Sequence, residues 1–177
     1  MSATLLEVRG ISKRFRGLQA VDTVSFTVPA GGIVALIGPN GAGKTTTFNL
    51  IAGVVAPDSG SVLLDGADIT GRRPDQACHA GIGRTFQLVK PFGALTVLQN
   101  VMVGAFRATS DRVAARQAAW EILERLGLAE KAESPAKSLT LPERKRLETA
   151  RALATRPKLL LLDEVMAGLR PTEIDQM

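Results

Sequence analysis

Gly38-Pro39-Asn40-Gly41-Ala42-Gly43-Lys44-Thr45 decides how the rest of the chain is read. A glycine, four variable residues and then Gly-Lys-Thr is a pattern with a physical purpose. Glycines let the backbone curl until successive N–H groups point inward at an anion. A helix opening at Lys44 aims its partly positive N-terminus and unpaired amides at the same place. The Lys44 ammonium is a mobile cation for β- and γ-phosphates, and the Thr45 hydroxyl is an oxygen ligand for Mg2+. Context supports the match. The mostly β-branched run from Ile33 to Ile37 is expected as a strand covered on both faces. Residues 44–53 follow as a helix ended by Gly53. Strand, glycine loop and helix in that order predict a nucleoside triphosphate site, lined by Gly38, Pro39, Asn40, Gly41, Ala42, Gly43, Lys44, Thr45 and Thr46.

Leu159-Leu160-Leu161-Leu162-Asp163-Glu164 supplies the complementary half of the chemistry. An apolar strand with an acid at its C-terminal tip places that acid at the ligand edge of a parallel sheet. Asp163 there would hold Mg2+, directly or through water. Glu164 would orient or deprotonate the attacking water. Taken alone, two acids after a leucine run fit a strand end followed by a helix cap equally well. With the phosphate loop in the same chain, they complete one reaction.

Outward from these two stretches, residues 5–9 and 23–28 read as a short antiparallel pair, and residues 61–64 as a further strand. Between residues 96 and 128 strand patterns vanish. Asp111 caps a predicted helix whose Ala115, Ala119, Ile122, Leu123 and Leu126 share one face, with Gly127 to stop it and Trp120 at the stripe's edge. A second helix runs from about residue 141 to 155, ahead of Pro157. Strands, a helical insert and a strand again give an α/β domain with a helical subdomain grafted in.

Composition agrees with one soluble domain of 177 residues, 45% hydrophobic and 22% charged. No stretch reaches the ~20 apolar residues a membrane span needs. The N-terminal residues lack the basic-then-apolar order of a secretory signal. Cys78 is alone, so neither an internal disulfide nor a multi-cysteine metal site is available. The expected setting is cytosolic. A net charge of +5 invites a nucleic-acid reading, but aromatics are only 4% of the chain and do not interleave with the basic residues. No nucleic-acid partner is expected.

With these features in place, the chain resembles the ATPase subunits of ABC transporters over essentially its whole length. Phe86-Gln87, within Gly83-Arg84-Thr85-Phe86-Gln87, resembles the family's glutamine loop. The resemblance implies that Gln87 meets the metal and γ-phosphate region and couples it to membrane subunits. It also implies that Phe15 stacks on adenine. On composition alone Phe15 would be a core residue and Gln87 would carry no meaning. The stretches 91–104 and 167–172 are similar to the ATPases of branched-chain amino-acid importers, which work in pairs below two membrane permeases. The implied fold is an α/β P-loop NTPase core with a small antiparallel β subdomain and an inserted helical subdomain at about residues 90–140, the whole of residues 1–177 forming one nucleotide-binding domain. The implied cofactors are ATP and Mg2+. The implied partners are membrane permeases and a second ABC ATPase subunit, on the cytoplasmic face of the inner or plasma membrane; the degenerate signature at Leu139 to Glu143 points to a heterodimer, its partner carrying an intact one.

Three departures qualify the resemblance. The family's signature, usually Leu-Ser-Gly-Gly-Gln, falls on Leu139-Thr140-Leu141-Pro142-Glu143, where Thr140 and Glu143 stand at capping-box spacing. Val165 replaces the usual proline after the catalytic glutamate. The family's switch histidine has no counterpart before Met177, and His79 lies too far upstream for that role. The expectation is therefore a C-terminally truncated, weakly hydrolysing domain. Two other functions share these motifs: an ATPase of a lipid or lipopolysaccharide exporter, and a soluble ABC protein acting on nucleic acid.

Overall fold

A computed structural model of the chain describes residues 3–85 and 91–163. It separates into two units, Met1–Ile82 and Gly83–Met177.

The first unit is built on a sheet of order β2-β1-β3-β4. Strands β1 (Thr4–Phe15) and β2 (Leu18–Pro29) pair antiparallel, and β3 (Ser59–Leu64) pairs antiparallel with both β1 and β4 (Ala67–Asp68). The expected antiparallel pair is thus present and longer at both ends. Leu6 and Val8 alternate into the core, as period-two geometry requires. Ile11 would face outward in strict alternation, yet it is fully buried, because the register shifts between Val8 and Ile11. Helix α1 (Lys44–Ile51) buries Leu50 and Ile51, and α2 (Pro74–Ala80) buries Ala77. His79 lies exposed on α2, its Nδ1 2.7 Å from the Asp75 carbonyl, and Cys78 beside it is half-buried.

One expected element differs. Residues 33–37 form no strand and are exposed, Ile33 fully and Ile37 to 90%. β-Branched residues favour a pleated surface only where neighbours exist to pair the backbone and cover the side chains. Among the described residues no strand lies alongside this run, so its propensity goes unused.

Strand β5 (Ile82–Arg84), whose last two residues begin the second unit in the chain, pairs with β6 (Leu159–Leu161). Helices α3 (Val97–Ala105), α4 (Arg112–Arg125) and α5 (Leu141–Ala154) share one core. Val97, Leu98 and Val101 of α3 meet Ala115, Ala119 and Leu123 of α4 and Leu147, Ala150 and Ala154 of α5 there. Burying each of the larger side chains is worth ~1.5–3 kcal/mol. Trp120, Ile122 and Leu126 pack on the margin of this core. Asp111 caps α4 by accepting a 2.8 Å bond from the Val113 amide. Gly104 is where α3 crosses α5: a Cβ there would lie 2.4 Å from the Arg151 carbonyl oxygen, so no side chain fits. The turn before α3 is held by fully buried Asn100, whose side chain accepts from the Phe92 amide and donates to the Phe92 and Thr96 carbonyls.

Candidate nucleotide site

In the first unit the phosphate loop curls as its glycines allow. Gly41 and Gly43 both adopt φ near +83°. A Cβ on Gly43 would also stand 2.2 Å from the Ala20 carbonyl oxygen, so glycine is required there on both counts. Gly43 is the N-cap of α1, and no side chain caps that helix or places an acid in its first turn. Its N-terminus therefore presents backbone donors and a positive partial charge to solvent. The Lys44 ammonium folds back and donates to the Gly38 and Pro39 carbonyls at 2.7 and 2.8 Å. Pro39, Asn40, Gly41 and Ala42 are exposed, while Thr45 and Thr46 are half-buried on the first turn of α1. Phe15 belongs to the same unit, at the end of β1, 43% exposed, with the Lys13 ammonium 5.7 Å from its ring centre. It is an accessible aromatic face, not the core residue its composition alone would suggest.

In the second unit Asp163 lies two residues past the end of β6 and is buried, 7% exposed. Two consecutive residues just across from it fix its position. The Thr85 hydroxyl accepts from the Asp163 amide at 3.1 Å, and the Thr85 amide donates to the Leu161 carbonyl at 3.0 Å. The Arg84 guanidinium, its side chain also only 7% exposed, lies 3.4 Å from Asp163 Oδ2. Burial pulls the Arg84 guanidinium below its usual range, against the opposing pull of the carboxylate. Sequence reasoning passed over Arg84 and Thr85. The available signal was a cation directly after the small apolar pair Ile82-Gly83: charge on a buried strand needs a counter-charge. Gln87 and Glu164 lie outside the described residues, as do Phe86 and residues 167–172.

The degenerate signature forms the N-terminus of α5, with Thr140 as N-cap. Pro142 offers no N–H there. The Glu143 carboxylate reaches back and accepts from the Thr140 amide at 2.8 Å and the Thr140 hydroxyl at 2.9 Å, and the Lys131 ammonium pairs with its other oxygen. Burial alone pushes the Glu143 carboxyl up, but the hydrogen bonds from Lys131 and Thr140 outweigh it and hold the carboxyl at about 2. The two helix N-termini thus differ in kind. That of α1 has no side-chain cap, whereas that of α5 is already filled by an anion of its own.

The chain belongs to the ABC transporter family, whose family model matches residues 21–167. The high-affinity branched-chain amino acid transport ATP-binding protein LivG of Salmonella typhimurium is 40% identical over 194 residues, spanning 100% of this chain and 75% of that protein. The lipopolysaccharide export system ATP-binding protein LptB of Escherichia coli is 39% identical over 172 residues, spanning 96% and 70%. Among solved structures, MJ1267 in its ADP conformation, an ATP-binding cassette of an ABC transporter, superposes with a TM-score of 0.87 at 33% identity, covering 99% of this chain and 74% of that one. The expected fold class, an ABC ATPase cassette, is the fold observed.

Proposed function

We propose that the chain is the ATP-hydrolysing subunit of an importer for branched-chain amino acids or related solutes. The observation that carries the nucleotide half is the loop at residues 38–45, curled around a left-handed Gly43 and opening a helix without a side-chain cap. Lys44 exchanges its two loop carbonyls for phosphate oxygens, loop amides and the α1 N-terminus face the same anion, and Phe15 stacks on adenine. The whole chain serves as one nucleotide-binding domain. The donors available for a metal are hard oxygens, the Thr45 hydroxyl and the buried Asp163 carboxylate, and these suit Mg2+. Thr45, Asp163 and Gln87 would hold it; when bound, it neutralises charge on the β- and γ-phosphates. Glu164 positions and deprotonates the attacking water, and Gln87 links the site to the membrane subunits.

Similarity to LivG favours import. No helix among the described residues is long and apolar enough to cross a membrane, and we place the subunit peripherally, on the cytoplasmic face of the inner membrane beneath permeases. Its ATPase partner is a second, different cassette carrying an intact signature. A specific second reading exists, because LptB is almost as similar over almost the same span. Reconstitution with importer permeases and, separately, with exporter permeases tells the two apart. ATP hydrolysis should rise with a leucine-loaded binding protein and not with lipopolysaccharide; stimulation by lipopolysaccharide alone would move the protein to the exporters.

A further inference from the structure

Asp58, the residue before β3, touches three consecutive residues near the end of β1. Its Oδ1 accepts from the Lys13 ammonium at 2.6 Å, its Oδ2 accepts from the Arg14 amide at 2.8 Å, and its own amide donates to the Ser12 carbonyl at 2.9 Å. An exposed ion pair is usually worth little, because two long side chains must be frozen to make it. Here the acid is already held by two main-chain bonds, so pairing freezes only the lysine. The Lys13 side chain is accordingly 16% exposed, although that of its partner is 49% exposed. The end of this pinned arm stands over the Phe15 ring, 5.7 Å from its centre, while Phe15 itself is 43% exposed. An exposed phenylalanine with nothing against it would move between rotamers and offer either face. Lys13, Phe15, Asp58 and the phosphate loop all belong to the first unit.

We infer that Lys13, pinned by Asp58, is a positioning residue for the nucleobase: its ammonium takes one face of Phe15 and leaves the other to the base. The inference rests on the proposed stacking of Phe15 on adenine and adds what holds the ring for it. Two effects follow. The ring is set in one orientation before the nucleotide arrives, so less freedom is lost on binding. The cation also draws π density toward itself, which lessens the repulsion between the opposite face and the π cloud of a purine.

The test is isothermal titration of the purified protein with ATP and, separately, with inorganic tripolyphosphate, which has no base. Lys13→Met keeps an apolar arm and removes the cation. It should bind ATP roughly two- to fivefold more weakly, the range of an exposed cation–π contact, with tripolyphosphate affinity unmoved. Lys13→Arg, which keeps the cation, should bring ATP binding back to near wild type. In a Phe15→Ala background Lys13→Met should cost nothing further, because the ring it positions is gone. A merely structural lysine would weaken both ligands alike and add its loss to that of Phe15→Ala. Should Lys13→Met fail to fold, Asp58→Asn, which leaves the lysine in place without its pin, should show the same loss confined to ATP. Unchanged ATP affinity in the variant that folds, an equal loss for tripolyphosphate, or losses additive with Phe15→Ala overturns the inference. If Phe15→Ala weakens ATP binding while Lys13→Met does not, only this inference fails. ATP affinity indifferent to Phe15→Ala would instead remove the stacking beneath it.

Discussion

Lys44 does two things in turn: it ties the loop together through the Gly38 and Pro39 carbonyls, and it is the proposed cation for phosphate. Charge-assisted bonds of this kind are worth ~1.5–3 kcal/mol each, so Lys44→Ala should weaken ATP binding by more than about tenfold. Isothermal titration with ATP measures it, and wild-type affinity in the variant would end the phosphate-loop reading. Lys44 was legible because everything that gives it meaning lies within a few residues of sequence. Thr45 shares that advantage, and Asp163 is marked by the leucine run before it. Arg84 and Thr85 were not legible, because their partners lie 79 and 78 residues away and only the pairing of β5 with β6 brings them together. The capping role of Thr140 could be read in advance, since its partner is three residues on.

Among the elements, the N-terminus of α5 has a measurable acid dependence. Glu143 titrates at about 2 in the folded chain, below the ordinary 4.5. A depressed carboxyl stabilises the fold at pH values above its unfolded value and loses that contribution as pH falls through the folded one. Wild type should therefore lose stability between about pH 4.5 and 2 more steeply than Glu143→Gln, which keeps the hydrogen-bonding shape but not the charge. At neutral pH the variant should be less stable by on the order of 1 kcal/mol. Urea unfolding across a pH series measures both, and parallel curves would show that the charge contributes nothing. Helix α4 was legible through its cap at Asp111 and its small-residue stripe. Helix α3 was missed although its start was marked: Thr96 accepts from the Gln99 amide and Gln99 reaches back to the Thr96 amide, a capping box written three residues apart, and the rest of its stability comes from the core it shares with α4 and α5. The run at residues 33–37 failed in the opposite sense, because a strand's identity belongs to its neighbours as much as to itself.

For the assembled transporter, the filled N-terminus of α5 predicts two unequal ATP sites. The resemblance to ABC ATPases implies that each ATP lies between one subunit's phosphate loop and the other's signature. In the heterodimer proposed above, this chain's own site, with Lys44 and Glu164, should face the partner's intact signature and do most of the hydrolysis. The partner's site should then face Thr140 to Glu143 and lag by ~10²-fold, the usual cost of one lost transition-state donor. Changing the catalytic glutamate to glutamine in one subunit at a time reads this directly. Glu164→Gln should nearly abolish steady-state turnover, and the partner's equivalent change should leave much of it. Equal losses, or the larger loss from the partner, would remove the asymmetry. The Glu143 carboxylate also has a consequence in terms of competition. It is tethered three residues from the amide it holds, so it acts there at an effective concentration of ~mM or higher that no dilution reduces. A nucleotide arriving from solution must outbid a group that never leaves. The chain in effect carries a built-in competitor for one helix end, one that ATP displaces only at concentrations above the tether's own.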